Sequence, residues 1–368
     1  MTTTALELPV AAATPSARRR GRGPALALSA ARRVLGGLIV ILSVITVTFL
    51  VTRVFAPDPT NLFLGGSGNG FASAAAEAAA RVQVRASLGL DKPLIEQYFI
   101  FLGHVVQGNL GESFQTGQPV SGELFSRLPA TAELAVYALL IGVTLGVGVG
   151  VLAAVRPGGW FDRIGRLFTI GAIAMPQFWI GLMLLWLLSV KWHLLPGPTG
   201  RLSVGEIPPR HITGFYVVDG LLTGQWSLAS SAALHLILPV VTLALGLAAP
   251  IAKVTRTSMR EALSADYTRT AAALGFGNRR IWFGYALKNG LLPVVTILAG
   301  IVAFTLCGSI LVEGIFGWPG IGNYSLQAIR TSDFPVIQGF VLYAAVLYVV
   351  LYEGLAIVYG YIDPRTRS

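Results

Sequence analysis

Residues Lys253 to Asn289 read KVTRTSMREALSADYTRTAAALGFGNRRIWFGYALKN, a polar and basic stretch set between two strongly apolar runs. Ser258-Met259-Arg260-Glu261 has the form of a capping box, in which a serine hydroxyl and a glutamate carboxylate each satisfy a free N–H at the start of a helix. From there Leu263, Tyr267, Ala271 and Leu274 fall on one face at helical spacing, while Arg260, Ser264, Asp266 and Thr268 fall elsewhere. Gly275 and Gly277-Asn278 then end the helix, because glycine and asparagine tolerate the left-handed turn that closes one. The pattern predicts one amphipathic helix from Ser258 to Gly275. Its apolar stripe must meet either lipid, as a membrane-surface helix in a basic loop, or another protein.

Working outward, apolar residues dominate. The chain has 368 residues, 54% hydrophobic and only 12% charged, with a mean hydropathy of +0.68. A soluble domain carries about a quarter charged residues, so this composition is that of a membrane protein. The first apolar run, Val34 to Thr52, lies between Arg33 and Arg53. It is too long for a signal-peptide core of about 7–15 residues, and Val54-Phe55-Ala56-Pro57 is a poor cleavage site, so it reads as an uncleaved span. Charge-free runs at Leu134–Val155, Leu167–Val190, Leu236–Ala252, Gly290–Val312 and Val336–Tyr352 follow. A helix needs about 20 residues to cross roughly 30 Å of hydrocarbon. The expected fold is therefore all-α and integral to the membrane, with spans over 34–54, 132–155, 167–190, 234–256, 290–312 and 336–361. Residues 257–289 form the loop quoted above, 1–33 a disordered basic tail and 362–368 a second tail.

Lysine and arginine crowd one set of segments: Arg18 to Arg33, Arg156 to Arg166, Lys253 to Lys288, and Arg365 with Arg367. The positive-inside rule makes these cytoplasmic, with both termini inside. The formal net charge of +10 would suggest nucleic acid in a soluble protein; here the basic residues sit at the ends of apolar runs, as lipid topology demands, and nucleic acid is not called for. Residues 55–131 then form a long extracytoplasmic segment, with a glycine-rich turn at Gly65 to Gly70 and helices near Ala72–Ala86 and Leu94–Val106. The second outer segment, Lys191 to Ser231, is rich in glycine and proline and reads as irregular.

Met175-Pro176-Gln177-Phe178-Trp179 in the third span, and Pro239 and Pro250 in the fourth, predict kinks, since proline frees a backbone carbonyl. Met175, Pro176, Phe178 and Trp179 are candidates for a path or gate, as are Glu313, Trp318 and Pro319 of Glu313-Gly314-Ile315-Phe316-Gly317-Trp318-Pro319-Gly320-Ile321-Gly322. Aromatic residues with glycines at that place also fit a plain interfacial belt.

Enzyme chemistry has no foothold. No lysine among Lys92, Lys191, Lys253 and Lys288 follows a glycine, so there is no P-loop to hold ATP. His104, His193, His211 and His235 form no metal-ligand pair, the lone Cys307 lies in an apolar run, and no Gly-x-Ser-x-Gly elbow is present. Ionisable residues inside spans would mark an ion-coupled carrier. Glu353 stands alone in that place, with Glu133 and Glu313 near the interfaces.

Several ordered motifs resemble one family. Glu261-Ala262-Leu263, Asp266-Tyr267, Arg269-Thr270-Ala271-Ala272-Ala273-Leu274-Gly275 and Ala286-Leu287-Lys288-Asn289 are similar to the "EAA" loop of ABC importer permeases. The form here is that of the B-type subunit of the oligopeptide, dipeptide and nickel branch. Leu88 to Pro93, Gly108 to Ser113, Arg127 to Thr131, Glu313 to Gly322 and Asp363-Pro364-Arg365 also resemble it. The resemblance implies a type I ABC importer permease with six spans, working with a second permease chain, two P-loop ATPases and an extracytoplasmic substrate-binding protein. ATP and magnesium would belong to the ATPases, and this chain would carry no cofactor and no catalytic or metal site. It assigns ATPase coupling to Glu261, Ala262, Leu263, Asp266, Tyr267, Arg269, Thr270, Ala271, Ala272, Leu274, Gly275, Arg279 and Arg280. The implied cargo is peptide; nickel chelates are the alternative within the family, and an ion-coupled secondary carrier the alternative outside it.

Overall fold

The computed structural model describes residues 22–55, 75, 78–79, 82–83, 85 and 91–362. The basic tail before Arg22, the Gly65–Gly70 turn, most of the helix expected over Ala72–Ala86, and Asp363-Pro364-Arg365 lie outside them. The described residues are helical and contain no strand beyond an isolated bridge between Glu112 and Pro119. Four helices are long and apolar enough to cross a membrane, and six spans result if each of two bent helix pairs counts as one.

Helix α1 covers Arg22–Leu50 and ends in a π-helical turn, Val51–Phe55. It starts ahead of the expected boundary at Val34 because the intervening alanines and leucines are strong helix formers and Pro24 is tolerated in a first turn. Helix α2, Leu94–Val106, matches its expected range. Helix α3, Val120–Val155, begins well before the expected 132, inside the segment assigned to the outer face. Its added turns are amphipathic: Val120 and Leu124 are buried against Ile321, Tyr324 and Val336.

The third span is not one rod. Helix α4, Trp160–Ala174, and helix α5, Gln177–Leu184, with its π-helical continuation Leu185–Lys191, meet at 103°. Short helix α6, Tyr216–Leu222, interrupts an otherwise irregular segment. Helix α7, Trp226–Ser264, runs through Pro239 and Pro250 and far beyond the expected end at residue 256. After it come α8 (Asp266–Ala273), α9 (Asn278–Arg280), a π-helical turn (Ile281–Ala286) and α10 (Leu287–Gly290). Helix α11, Leu292–Gly308, is bent by 44° from the preceding helix, with Pro293 at its start. Helix α12 (Ile310–Phe316), α13 (Ile321–Thr331) and α14 (Phe334–Ile362) complete the chain.

Helices α3 and α7 form the most extensive contact in the fold. Gly142, Gly146 and Gly150, spaced every fourth residue along α3, face Ala244, Leu247, Ala248, Ile251, Ala252 and Thr255. A Cβ on Gly146 would fall 2.8 Å from Ala248 O and from Ile251 Cβ; one on Gly150 would fall 2.5 Å from Thr255 Cβ. Lipid tails are as apolar as leucine, so close backbone approach over small residues is what drives such a pair together. Helices α1 and α14 pack on each other at the edge and stay mostly exposed, whereas the α7 span is mostly buried. One end of the bundle, the basic end, carries Arg156, Arg166 and Arg256.

Candidate functional site

At the basic end, α7 and α8 divide what the sequence pattern presents as one helix. The capping-box start at Ser258 is corrected: Ser258 lies inside α7, half a dozen residues before its end. Met259 is fully buried and packs with Ala262 against Val151, Ala154 and Ala286, so apolar contact carries α7 past the local start signal. The chain breaks only at Ala265, whose backbone is extended (φ −71°, ψ 152°). Thr268 closes this break: its Oγ1 lies 2.6 Å from Ala265 O, 2.9 Å from Ala262 O and 3.1 Å from Leu263 O, so its single O–H points into the cluster of carbonyls at the end of α7 and its cap.

Helix α8 then has an inner and an outer side. Thr268 and Ala271 are buried, while Asp266, Arg269, Thr270 and Ala272 are exposed. Tyr267 and Leu274, expected on the same stripe as Ala271, turn outward and are 41% and 69% exposed. Gly275 ends the helix with φ +81°, as expected from its freedom from a Cβ, and its N–H donates to Ala272 O at 3.0 Å. Gly277 starts the next helix rather than ending this one. Phe276 stacks on Tyr285 with centroids 5.8 Å apart, and the Arg280 guanidinium lies 4.5 Å from the Phe276 ring centre. Arg279 and Arg280 are exposed, beside an outer surface of mixed apolar and charged character.

A second feature lies half-way through the bundle. Pro176 lacks an N–H and forces Met175 into an extended backbone, which makes the 103° break between α4 and α5. Met175 N donates to Gly171 O, and both Trp179 N and Ile180 N donate to Pro176 O. Gln177 sits against Gly246 near the middle of α7, where a Cβ would come within 2.8 Å of its Nε2, so the break is at mid-depth. Met175, Phe178 and Trp179 are 47%, 43% and 43% exposed. An open apolar cleft of about 320 Å³ follows, lined by Leu167, Phe168, Gly171, Met175, Trp179 and Leu245.

At the end opposite the basic one, polar groups lock the frame. Glu313 is fully buried; its Oε1 accepts from Thr131 Oγ1 at 2.9 Å and Ser309 Oγ at 2.8 Å, and its Oε2 accepts from Asn323 N at 2.9 Å. Trp318 is also buried and its Nε1–H donates to Ala130 O at 2.8 Å. Glu313 and Trp318 thus bind the start of α13 to α3 inside this chain, while Pro319 is exposed. Glu133 is fully buried on α3 and pairs with buried Arg201 at 2.5 Å; Arg201 also donates to Gly214 O and lies 3.3 Å from the centre of the Tyr216 ring.

Two family models cover the chain. Residues 146–368 match the family described as binding-protein-dependent transport system inner membrane component, and residues 29–135 match its N-terminal companion. The chain belongs to this permease family. It is 37% identical over 334 residues to the probable D,D-dipeptide transport system permease protein DdpB of Escherichia coli, covering 91% of this chain and 96% of that one. It is 38% identical over 321 residues to the di/tripeptide transport system permease protein DppB of Pseudomonas aeruginosa, with 87% and 93% coverage. The glutathione transport system permease protein GsiC of Pectobacterium atrosepticum is 33% identical over 336 residues, with 91% and 97% coverage.

Seen as a permease, the chain brings the expected loop residues together in two groups. Glu261, Ala262 and Leu263 belong to the end of α7, and Asp266 to Leu274 to α8 with its cap. The expected path residues also divide, with Met175, Pro176, Phe178 and Trp179 at the exposed break and Glu313 and Trp318 in the buried frame. Sequence reading missed Arg201, Asp219, Thr268 and the glycines of α3. The last had a visible signal, the Gly142-x-x-x-Gly146-x-x-x-Gly150 spacing.

Proposed function

We propose that the chain is one of two membrane subunits of an ATP-driven peptide importer, with the basic end in the cytoplasm. Support for the cargo comes from relatives whose names specify D,D-dipeptide, di/tripeptide and glutathione transport. A substrate-loaded binding protein docks on the outer side, a second permease chain completes the path, and two ATPases hold ATP and magnesium beneath them. The observation that carries the reading is α8, a short helix with Tyr267 and Leu274 exposed and its inner side pinned by Thr268 to the end of the longest helix in the described fold.

The chain's own part is mechanical. ATP binding in a partner can move the path only by favouring one packing of the bundle over another. A rigid element must touch both the partner and the spans. Helix α8 qualifies, because its exposed side is free for a groove on the ATPase while α7 carries its displacement into the glycine seam with α3.

Affinity capture from gently solubilised membranes tests this. P-loop ATPases, a second multi-span chain and an extracytoplasmic binding protein are expected to come with it. Recovery of the chain alone, in a form that still transports peptide, would replace the reading by that of a secondary carrier.

A further inference from the structure

We propose that α2 is seated in the membrane, with Ile95, Phe99, Leu102 and Val106 taking lipid at the boundary between headgroups and acyl chains, in the leaflet opposite the basic end. The inference rests on α1 crossing the bilayer and is independent of the cargo.

Depth comes first. The span in α1 runs from Ala31 to Arg53. At about 1.5 Å per residue, Phe49 and Thr46 lie roughly 6 and 10 Å inside its Arg53 end. Both hold α2. Tyr98 Oη and Thr46 Oγ1 lie 2.8 Å apart, and the Phe49 ring centre lies 5.4 Å from that of Tyr98 and 5.6 Å from that of Phe101. Thr46 Oγ1–H in turn donates to Leu42 O at 2.8 Å, so Tyr98 O–H donates to Thr46 and both hydroxyl protons have an acceptor. Hydrocarbon offers none, and an unpaired hydroxyl there is costly. These contacts set the middle of α2 at a depth of about 5–10 Å, which is that of a helix lying in the membrane interface.

The sides of α2 sort by polarity. Tyr98 and Phe101 form the side on α1. Ile95, Phe99, Leu102 and Val106 recur every three or four residues and form a second side. Ile95, Phe99 and Val106 are 75%, 65% and 78% exposed, and Leu102 is half-buried. Away from this stripe Glu96 and His104 are exposed, with the less exposed Ile100 between them, and Glu96 pairs with Lys92 at 2.8 Å. One side thus suits hydrocarbon and another water, as an interfacial helix requires. A soluble partner could reach the stripe only if α2 stood clear of the bilayer, and the contacts with Thr46 and Phe49 hold it in. Leu50 and Val47, on the flank of α1 next to Thr46, are exposed as well, so the stripe extends apolar surface that the span already presents.

The test is collision of nitroxides with oxygen, which partitions into lipid, and with nickel ethylenediaminediacetate, which stays in water. Phe99→Cys and Glu96→Cys are spin-labelled separately in a Cys307→Ala background. The full chain with its co-purifying partners is reconstituted in liposomes of phosphatidylethanolamine and phosphatidylglycerol. The expected oxygen-to-nickel ratio is several-fold higher at position 99 than at position 96. Val106→Cys, on the same stripe, repeats the measurement and keeps the test open should Phe99→Cys not fold. Equal ratios on the stripe and at position 96 would put α2 wholly in water or wholly in lipid. Poor access of both reagents to the stripe would place it against a second permease chain or a binding protein. Each of these results overturns the proposal.

Discussion

Gly146 of α3 and Ile251 of α7 pass so closely that a Cβ on the glycine would stand 2.8 Å from Ile251 Cβ. The neighbouring Gly148 faces open space, and a Cβ there would have nothing within 4 Å. Gly146→Leu should therefore force the helix pair apart, at a cost of about 1–3 kcal/mol or more. Gly148→Leu should be close to neutral. Thermal unfolding of the two purified variants in detergent checks this; equal melting points would remove the glycine seam as the structural centre.

The pair Glu133–Arg201 allows a sharper comparison. Both side chains are buried, and Arg201 already has an Nε without a partner. Removing one member of such a pair leaves an uncompensated buried charge and costs about 3–5 kcal/mol. Glu133→Leu alone should lower stability strongly, whereas Glu133→Leu with Arg201→Met should recover most of the loss. A double-mutant cycle measured by thermal unfolding decides; additive losses would mean that the two groups do not act as a pair.

Much of this arrangement was legible from residue order alone. Apolar runs coincide with the four helices long enough to cross a membrane and with the two bent pairs that bring the number to six if each counts as one span, α2 matches Leu94–Val106, and Gly275 stops its helix. Local signals fail where distant packing overrides them. Ser258–Glu261 carries a good start pattern, yet the burial of Met259 and Ala262 keeps α7 going. Pro176 announces a kink, but an angle of 103° depends on how α5 lies against α7 and α12. Glu133 meets Arg201 across 68 residues, and Thr131 meets Glu313 across 182, so neither pairing has a sequence signature. Glu313 and Trp318 attract attention in the sequence for their motif; in the fold they are buried frame.

Asp219, outside the spans, makes acid sensitivity predictable. Its carboxylate is buried, which alone would raise its pKa, but Thr213 Oγ1–H at 2.6 Å and the N–H groups of Thr213, Ile212 and Gly214 together outweigh burial and hold it below the ordinary carboxylate range. A depressed folded value means stabilisation that is complete above the unfolded pKa, about 4, and lost as pH falls through the folded one. The melting-point advantage of the native protein over Asp219→Asn should be constant at neutral pH and shrink below about pH 4. An advantage that grows on acidification would reverse the sign and reject this role.

Helix α8 yields the most direct functional prediction. Tyr267 and Leu274 are largely exposed and make no side-chain hydrogen bond, ion pair or ring contact among the described residues, so Tyr267→Asp and Leu274→Asp break no specific contact within this chain, and surface changes of this kind stay within about 0.5 kcal/mol in stability. A dock on an ATPase would nonetheless receive a carboxylate in an apolar groove. The variants should reach the membrane in normal amounts and melt normally, while ATP-dependent peptide uptake falls at least about tenfold, a loss equal to roughly 1.4 kcal/mol of coupling. Thr268→Val should behave differently, because it removes the O–H that points into the carbonyls of Ala262, Leu263 and Ala265 and loosens α8 itself. It should lower both stability and uptake, with ATP hydrolysis persisting but no longer driving transport. Normal uptake in Tyr267→Asp and Leu274→Asp together would show that the exposed side of α8 meets no partner, and ATP would then have to act on the spans through another surface.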